Sequence, residues 1–279
     1  MDRYAVMGNP VAHSKSPFIH ARFAAQTGQA MTYGAILVER GGFAEAVARF
    51  RDEGGRGLNV TVPFKEEAFA LVAVPRPRAA LAGAVNTLWF GEPGDVAGRY
   101  EGDNTDGTGL VNDLTANLGF ALAGRRVLLL GAGGAARGVL GPLLAERPAT
   151  FVVANRTHSR AETLARHFAP HGAVTARPLA ELAPGEFDLI INATSASLAG
   201  ELPPLAPGVL GGAELCYDMM YGAAPTPFLR RAGEEGARRC SDGLGMLVEQ
   251  AAEAFAIWRG CRPATGPVLA ALREDVSRL

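Results

Sequence analysis

One run of residues constrains the fold more than any other. Val127-Leu-Leu-Leu130 is an uninterrupted apolar stretch, and Gly131-Ala132-Gly133-Gly134-Ala135-Ala136 follows it directly. The apolar positions beyond recur at helical spacing. A buried strand, a glycine turn and a helix in that order satisfy the context that a G-x-G-x-x-A sequence needs before it means anything. Gly131 permits the tight turn, Gly133 lets backbone approach a pyrophosphate, and Ala136 lets helix and strand pack closely. The free N–H groups of the new helix face the anion. The run therefore predicts a dinucleotide-binding α/β unit, against the plainer reading of an ordinary tight βα turn.

The next strand bears on which dinucleotide. A site for NAD ends that strand, about 20 residues on, with an acid for the ribose hydroxyls. Here the chain offers Asn155-Arg156-Thr157-His158-Ser159-Arg160, with no carboxylate before Glu162. Two guanidiniums among neutral hydrogen-bonding groups suit a 2′-phosphate, so the expectation is NADP.

The rest of the chain alternates in the same manner. Tyr4–Met7, Tyr33–Val38, Leu58–Val62 and Val85–Phe90 read as strands in the first hundred residues. Helices are predicted over Ser16–Thr27, with Ser16 as cap and Pro17 at the first helical position, over Phe43–Asp52 and over Phe64–Val72. That alternation predicts a largely parallel sheet covered on both faces. Asp106–Leu118 reads as a helix leading out of this part. Strands then follow at Arg126–Leu130, Thr150–Ala154, Phe187–Ile191 and Glu214–Tyr217, with helices at Ala135–Leu144 and Ser159–Phe168. A long helix from Leu244 to about Trp258 and a last one over Pro267–Val276 close the chain, and Leu198–Gly212 is the longest loop. At 279 residues the chain accommodates one large domain or two.

Charge excludes some functions. The 27 basic residues face 28 acidic ones, for a net charge of -1. With no basic excess, the chain lacks what phosphate neutralisation on a nucleic acid requires. No apolar stretch is long enough for a membrane helix, and the first residues lack the layout of a signal peptide. Cys216, Cys240 and Cys261 are widely spaced and form no C-x-x-C, and the histidines form no H-E-x-x-H, so neither disulfides nor a metal site is expected. Those thiols suggest a reducing, cytoplasmic setting.

Within the 27 cations only two are lysines, Lys15 and Lys65. Both fall in polar segments at strand ends, where open α/β sheets bind their ligands. Asn9-Pro-Val-Ala-His13-Ser14-Lys15-Ser16-Pro17 sets two hydroxyls at the mouth of a helix. Asn59-Val-Thr61-Val-Pro63-Phe-Lys65 places Asn59 and Thr61 on one strand face. Asn86-Thr87 and Asp103-Asn104-Thr105-Asp106-Gly107 add hydrogen-bonding groups. Ser16 also reads as a simple cap, His13 as structural, and Asn104 and Thr105 as turn formers. Lys65 resists such a reading, because a solvated cation in this chain is ordinarily Arg. Lysine releases its proton and arginine does not, so a proton-transfer step selects it. A carboxylate such as Asp106 would hold the ammonium and share the relay. Lys15 reads as an electrostatic aid for a carboxylate substrate.

These runs together resemble the shikimate dehydrogenase family. The resemblance rests on Gly8-Asn-Pro-Val-Ala-His-Ser-Lys-Ser-Pro17, Asn59-Val-Thr-Val-Pro-Phe-Lys-Glu66, Gly83-Ala-Val-Asn-Thr87 and Gly102-Asp-Asn-Thr-Asp-Gly107. Gly131-Ala-Gly-Gly-Ala135, Asn155-Arg-Thr157, Ile191-Asn-Ala-Thr-Ser195, Tyr217-Asp-Met-Met-Tyr221 and Asp242-Gly-Leu-Gly-Met-Leu-Val-Glu-Gln250 complete it. It implies two α/β domains: an N-terminal substrate-binding sheet domain, and a Rossmann dinucleotide-binding domain, with the C-terminal helices packing back on the first. The corresponding boundaries are 1–104 with 243–279 for the substrate-binding and catalytic domain, and 105–242 for the NADP-binding domain.

The resemblance also implies reversible reduction of 3-dehydroshikimate to shikimate by NADPH, on the route to chorismate and the aromatic amino acids. It makes Lys65 and Asp106 the catalytic pair. Ser14, Ser16, Thr61, Asn86, Asp106, Tyr221 and Gln250 would bind substrate. Gly131, Ala132, Gly133, Gly134 and Ala135 would hold the pyrophosphate, and Asn155, Arg156, Thr157 and Arg160 the adenosine end. Thr194, Met219 and Gly243 would line the nicotinamide side. The implied protein is cytoplasmic, a monomer or homodimer, with small-molecule partners only. Three alternatives stay open: an NAD-dependent quinate/shikimate dehydrogenase, another member of the same two-domain dehydrogenase group with a different substrate, and a non-catalytic NADP-binding regulator of the same fold. One departure stands out. Many family members carry an acid just before Arg-Ala-Ala-Leu-Ala-Gly-Ala, where this chain has Val74-Pro75-Arg76-Pro77 ahead of Arg78.

Overall fold

The computed structural model describes residues 1–91, 100–194 and 201–278. The chain divides into two compact units, Met1–Gly109 with Val248–Leu272, and Leu110–Leu247 with Arg273–Leu279. In the first unit the elements run β1 (Asp2–Gly8), α1 (Ser16–Thr27), β2 (Met31–Leu37), α2 (Phe43–Asp52), β3 (Gly55–Val60) and α3 (Lys65–Leu71). A two-residue β4 (Val74–Pro75), α4 (Pro77–Ala82), β5 (Thr87–Phe90), β6 (Tyr100–Asp103) and the start of α5 (Asp106–Asn112) follow. Apolar spacing explains α2, whose buried residues are Phe43, Ala46, Val47 and Phe50. Phe43 stacks on Phe64 at 5.0 Å between centroids, both fully buried, each contributing about 1.5–3 kcal/mol by leaving water.

The sheet of this unit is ordered β2-β1-β3-β5-β6-β4. It is mixed, which corrects the expectation of a largely parallel sheet. β1 pairs parallel with β2 and with β3, but β5 runs antiparallel to both β3 and β6. Residues 91–99 separate β5 from β6, too few for the crossover of about a dozen that a parallel neighbour needs. A second correction concerns Ser16, which is the first helical residue of α1 and not its cap. Lys15 occupies the cap position and makes no side-chain capping bond.

The second unit runs β7 (Arg126–Leu130), α6 (Gly134–Ala145), β8 (Thr150–Ala154), α7 (His158–Phe168), β9 (Val174–Ala176), β10 (Leu189–Asn192), β11 (Leu215–Asp218), α8 (Pro227–Glu234) and β12 (Cys240–Asp242). All six strands are parallel, in the order β12-β11-β10-β7-β8-β9. β7, β8, β10 and β11 are almost wholly buried, as continuous apolar runs require in a sheet covered on both faces. From β7 the strand order departs in opposite directions, toward β8 on one side and β10 on the other. Such a switch point opens a crevice at the carboxyl ends of those strands. The last turn of α5 widens into a π-helical segment over Asp113–Asn117. The expected loop 198–212 is described only from residue 201 on, and Ser195 lies outside the described residues.

Two further helices, α9 (Leu244–Arg259) and α10 (Gly266–Ser277), carry the chain back, and Val248–Leu272 clusters with the first unit. Trp258 of α9 stacks on Tyr4 at 4.6 Å and donates its indole N–H to the Leu88 carbonyl at 3.1 Å. Phe255, Phe23, His20 and Tyr33 complete this aromatic face. Arg259 pairs with Asp2 and donates to the Gln29 side chain at 2.8 Å. The three cysteines are free thiols. Among the described residues no helix is long and apolar enough to cross a membrane.

Candidate active site and dinucleotide loop

In the first unit, α3 begins at Lys65 and α5 begins at Asp106. Their side chains meet, with Lys65 Nζ 2.5 Å from Asp106 Oδ2. The lysine side chain keeps 24% of its exposure and the aspartate 9%, so the pair is mostly covered yet not sealed from solvent. The second oxygen of Asp106 accepts from Asn86 Nδ2 at 2.8 Å. The Asp106 backbone N–H donates to Asn104 Oδ1, and Asn104 Nδ2 donates to the Ala84 carbonyl. Asn104 thus ties this turn to the end of α4.

Asn86 is the hub of the buried polar cluster. Its Oδ1 accepts from the Thr105 backbone N–H at 2.9 Å and from Thr87 Oγ1 at 2.9 Å. A backbone N–H can only donate, so the Asn86 amide is fixed with its NH₂ toward Asp106. That NH₂ also reaches Thr105 Oγ1 at 2.9 Å and Gln250 Oε1 at 3.3 Å. Asn59 donates to the Asn86 carbonyl and to Thr87 Oγ1, both at 3.2 Å, and accepts from the Tyr33 hydroxyl at 2.7 Å. Burial pushes the Tyr33 phenol well up, with the Ser16 hydroxyl acting weakly the other way. His20 stacks on Tyr33 at 4.1 Å, and both its ring nitrogens are buried without a hydrogen bond. Burial drops its imidazole to about 3, Asn59 offsetting this in part.

The hydroxyl-bearing loops lie next to one another. The Asn9 N–H donates to the Val62 carbonyl at 3.0 Å, and Thr61 N–H to the Met7 carbonyl at 2.9 Å. A Cβ on Gly8 would stand 2.3 Å from the Thr61 methyl, so only glycine admits this approach. The Ser16 N–H faces Ser14 Oγ at 3.3 Å. The structure therefore gathers Lys65, Asp106, Asn86 and Gln250 into one bonded cluster. Ser14 and Thr61 sit on the adjoining loops and Ser16 at the start of α1, without a direct bond to the lysine–aspartate pair among the described residues.

The remaining predicted residues belong to the second unit. Gly131 has φ +110°, and a Cβ there would crowd Ala193 and Thr194 at 3.2 Å. Gly133 and Gly134, by contrast, face open space with nothing within 4 Å of an added Cβ. Ala132 and Ala135 flank them, and Ala136 is fully buried in the first turn of α6. An emptied loop at the start of a 12-residue helix is what a pyrophosphate needs. At the end of β8 the Asn155 amide donates to the Thr157 carbonyl at 2.9 Å. Arg156, Thr157 and Arg160 are exposed, and among the described residues neither arginine makes an ion pair.

At the ends of β10 and β11, Asn192 accepts from Thr194 Oγ1 at 2.7 Å and donates to Asp218. Asp218 also accepts from the Met220 N–H at 3.0 Å and from Thr226 Oγ1 at 2.6 Å. Gly243 lies against the same turn: its N–H donates to the Met220 carbonyl, and a Cβ would stand 2.2 Å from the Met219 carbonyl oxygen. Thr194, Met219 and Gly243 thus border one side of the β10–β11 strand ends. Tyr221 is half-buried, its phenol pushed up by burial and by the nearby Asp242.

Sequence reasoning missed the Asn192–Asp218–Thr226 network, the Tyr33 hydroxyl and the ion cluster around Arg78. The only local signal for the first was Thr226-Pro227, a cap-and-proline pair that opens α8.

Comparison with known proteins bears on the same residues. Residues 6–88 match the shikimate dehydrogenase substrate binding domain, 114–199 the shikimate / quinate 5-dehydrogenase family, and 243–273 the shikimate 5'-dehydrogenase C-terminal domain. The shikimate dehydrogenase (NADP(+)) of Nitrosospira multiformis is 58% identical over 275 residues, covering 99% of this chain and 98% of that one. Among solved structures, the Ael1 enzyme from Pseudomonas putida superposes with TM-score 0.91 at 49% identity, over 98% of each chain. The shikimate 5-dehydrogenase of Thermus thermophilus, in complex with NADP(H) and shikimate, does so with TM-score 0.87 at 35% identity, over 98% of this chain and 99% of that one.

Proposed function

The chain belongs to the shikimate dehydrogenase family, and from that premise we infer that it reversibly reduces 3-dehydroshikimate to shikimate with NADPH. The observation that carries the chemistry is the contact of Lys65 with Asp106 inside a cluster of fixed amides and hydroxyls. Bound NADPH would supply hydride to the carbonyl carbon. The oxygen must gain a proton as that happens, and Lys65 is assigned to give it. Asp106 holds the ammonium through one oxygen while Asn86 fixes the other, so the carboxylate cannot swing away from the lysine. Proton transfer of this kind is worth about 10²–10⁴-fold in rate. In the oxidative direction the same lysine takes the proton from the substrate hydroxyl.

Ser14, Ser16, Thr61, Asn86, Tyr221 and Gln250 are assigned to the substrate's hydroxyls and carboxylate, and Lys15 to long-range attraction of that carboxylate. A site built to bond hydroxyls rejects analogues that lack them, because its own polar groups would be left unpaired. The emptied glycine loop Gly131 to Ala135 fits a pyrophosphate, and the exposed Arg156 and Arg160 fit a 2′-phosphate. Asn155 and Thr157 are assigned to the same adenosine end, and Thr194, Met219 and Gly243 to the nicotinamide. We draw the domain boundaries at 1–104 with 243–279 for substrate and 105–242 for NADP, and place the protein in the cytoplasm as a monomer or homodimer.

The absence of an acid at the end of β8 speaks against an NAD-dependent quinate enzyme, and the formed Lys65–Asp106 pair against a non-catalytic regulator. Reduction of NADP⁺ by shikimate, followed by absorbance of the reduced nicotinamide, tests the reading. Quinate and NAD⁺ serve as controls. Preference for either control would refute it.

A further inference from the structure

Arg78 stands on α4, directly after the stretch where the chain departs from its family. Its guanidinium joins three other segments of the first unit. Nε lies 3.0 Å from both oxygens of Asp103, and Nη2 is 2.8 Å from Asp103 Oδ2. Nη1 donates to Thr108 Oγ1 at 2.7 Å, and Nη2 also reaches Glu253 Oε1 at 2.9 Å. Asp103 ends β6, Thr108 lies in the first turn of α5, and Glu253 lies on α9 one turn beyond Gln250.

Asp103 and Thr108 bracket Asp106. Asp103 Oδ1 further accepts the Asn104 N–H at 2.7 Å, and the Arg76 N–H donates to the Gly102 carbonyl at 3.0 Å. The short segment that carries Asp106 is therefore gripped at both ends by one planar, permanently charged group. On the α9 side, Arg262 bridges Glu249 and Glu253, each at 2.8 Å, so the helix turn bearing Gln250 is braced to the same guanidinium. Acid–base transfer is steep in distance: displacing a reacting group by about 1 Å can cost 10²-fold in rate.

We propose that Arg78 is a positioning residue for the acid–base pair, clamping Asp103 and Thr108 so that Asp106 meets Lys65. This rests on reading Lys65 and Asp106 as the catalytic pair. Lysine cannot replace Arg78, because one ammonium cannot span a carboxylate fork, a hydroxyl and a second carboxylate in a single plane.

The test compares Arg78→Lys, Thr108→Val and Asp106→Asn in steady-state shikimate oxidation. Each variant is assayed well below its own melting temperature, with rates referred to folded protein. Arg78→Lys should lower kcat about tenfold or more while leaving KM for NADP⁺ unchanged, given that about 1 Å of misplacement can cost 10²-fold. Thr108→Val removes only one arm of the clamp and should lower kcat in the same sense by about threefold, a fraction of that loss. Where Arg78→Lys does not fold, Thr108→Val alone decides. If Arg78 merely stabilises the fold, Tm falls but kcat per folded molecule stays at the wild-type value in both variants, which overturns the proposal. Collapse of kcat in Asp106→Asn alongside normal rates in the other two defeats only the clamp. Wild-type kcat in Asp106→Asn defeats the catalytic pair itself.

Discussion

The two units prepare for their ligands in opposite ways. In the first, the polar groups around Lys65 and Asp106 are bonded to one another before any substrate arrives, and Asn86 alone serves Asp106, Thr105, Thr87 and Gln250. In the second, the dinucleotide loop is cleared of side chains, and Arg156 and Arg160 stand in solvent. The difference is the one the proposed roles require. Proton transfer tolerates little error in geometry, so its groups are held in advance. Binding a pyrophosphate asks for free backbone N–H groups and room, which side chains would only obstruct. Damage to the first unit should therefore show in kcat, and damage to the second in cofactor KM.

The strongest way to break this contrast is Lys65→Ala. Loss of the acid should lower kcat by about 10²–10⁴-fold with little change in KM for shikimate, measured by steady-state kinetics. A fall in affinity at constant kcat would place Lys65 among binding groups and erase the distinction. Gly243→Ala attacks the other side. Its methyl would have to displace the Met219 carbonyl, and forcing a group into a packed site costs about 1–3 kcal/mol. KM for NADP⁺ should rise and Tm should fall, with kcat at saturating cofactor largely kept.

Replacing Arg156 and Arg160 together by Ala sharpens the comparison further. Affinity for NADP⁺ should drop about tenfold or more, since a charge-assisted bond is worth about 1.5–3 kcal/mol, while NAD⁺ binding is unaffected. Titration of both cofactors measures it, and equal losses would contradict a 2′-phosphate role. Near neutral pH the smallest effect belongs to His20, which acts only below its ordinary value of 6.5. It stays neutral in the folded protein down to about 3, against an ordinary value of 6.5 once exposed. As pH falls below 6.5 the unfolded chain binds a proton that the folded chain refuses, so this group withdraws about 1.4 kcal/mol of stability per pH unit. His20→Phe should flatten the dependence of denaturation midpoint on pH between 6.5 and about 3 by that slope.

Legibility in the sequence followed burial and range. β7 and β8 were read residue for residue, because a parallel strand covered on both faces is an apolar run with sharp ends. β6, β9 and β12 escaped: Tyr100-Glu-Gly-Asp103 holds its place by pairing with β5 and carries no apolar signature. The antiparallel turn of the first sheet was hidden for the same reason. Within the site, Lys65 was visible because its residue type is rare in this chain, and Asp106 because it sits in a dense polar run. Arg78 was not. Its partners lie 25, 30 and 175 residues away, and nothing in the local sequence marks one arginine among 25 as a hub. Ser16 was misread because Ser-Pro satisfies the rule for a cap, while the loop enters α1 one residue earlier.

The scarcity of lysine has a practical corollary. The chain offers an acylating or reductive-alkylating reagent only two side-chain amines. One of them, at the start of α3, is three-quarters covered and engaged with a carboxylate. Labelling chemistry that would scatter over the surface of an ordinary protein is confined here, apart from the α-amine, to two addresses, both just past strand ends at the same end of one sheet. Protection of the second by shikimate would then be readable as a single mass increment, without any measurement of turnover.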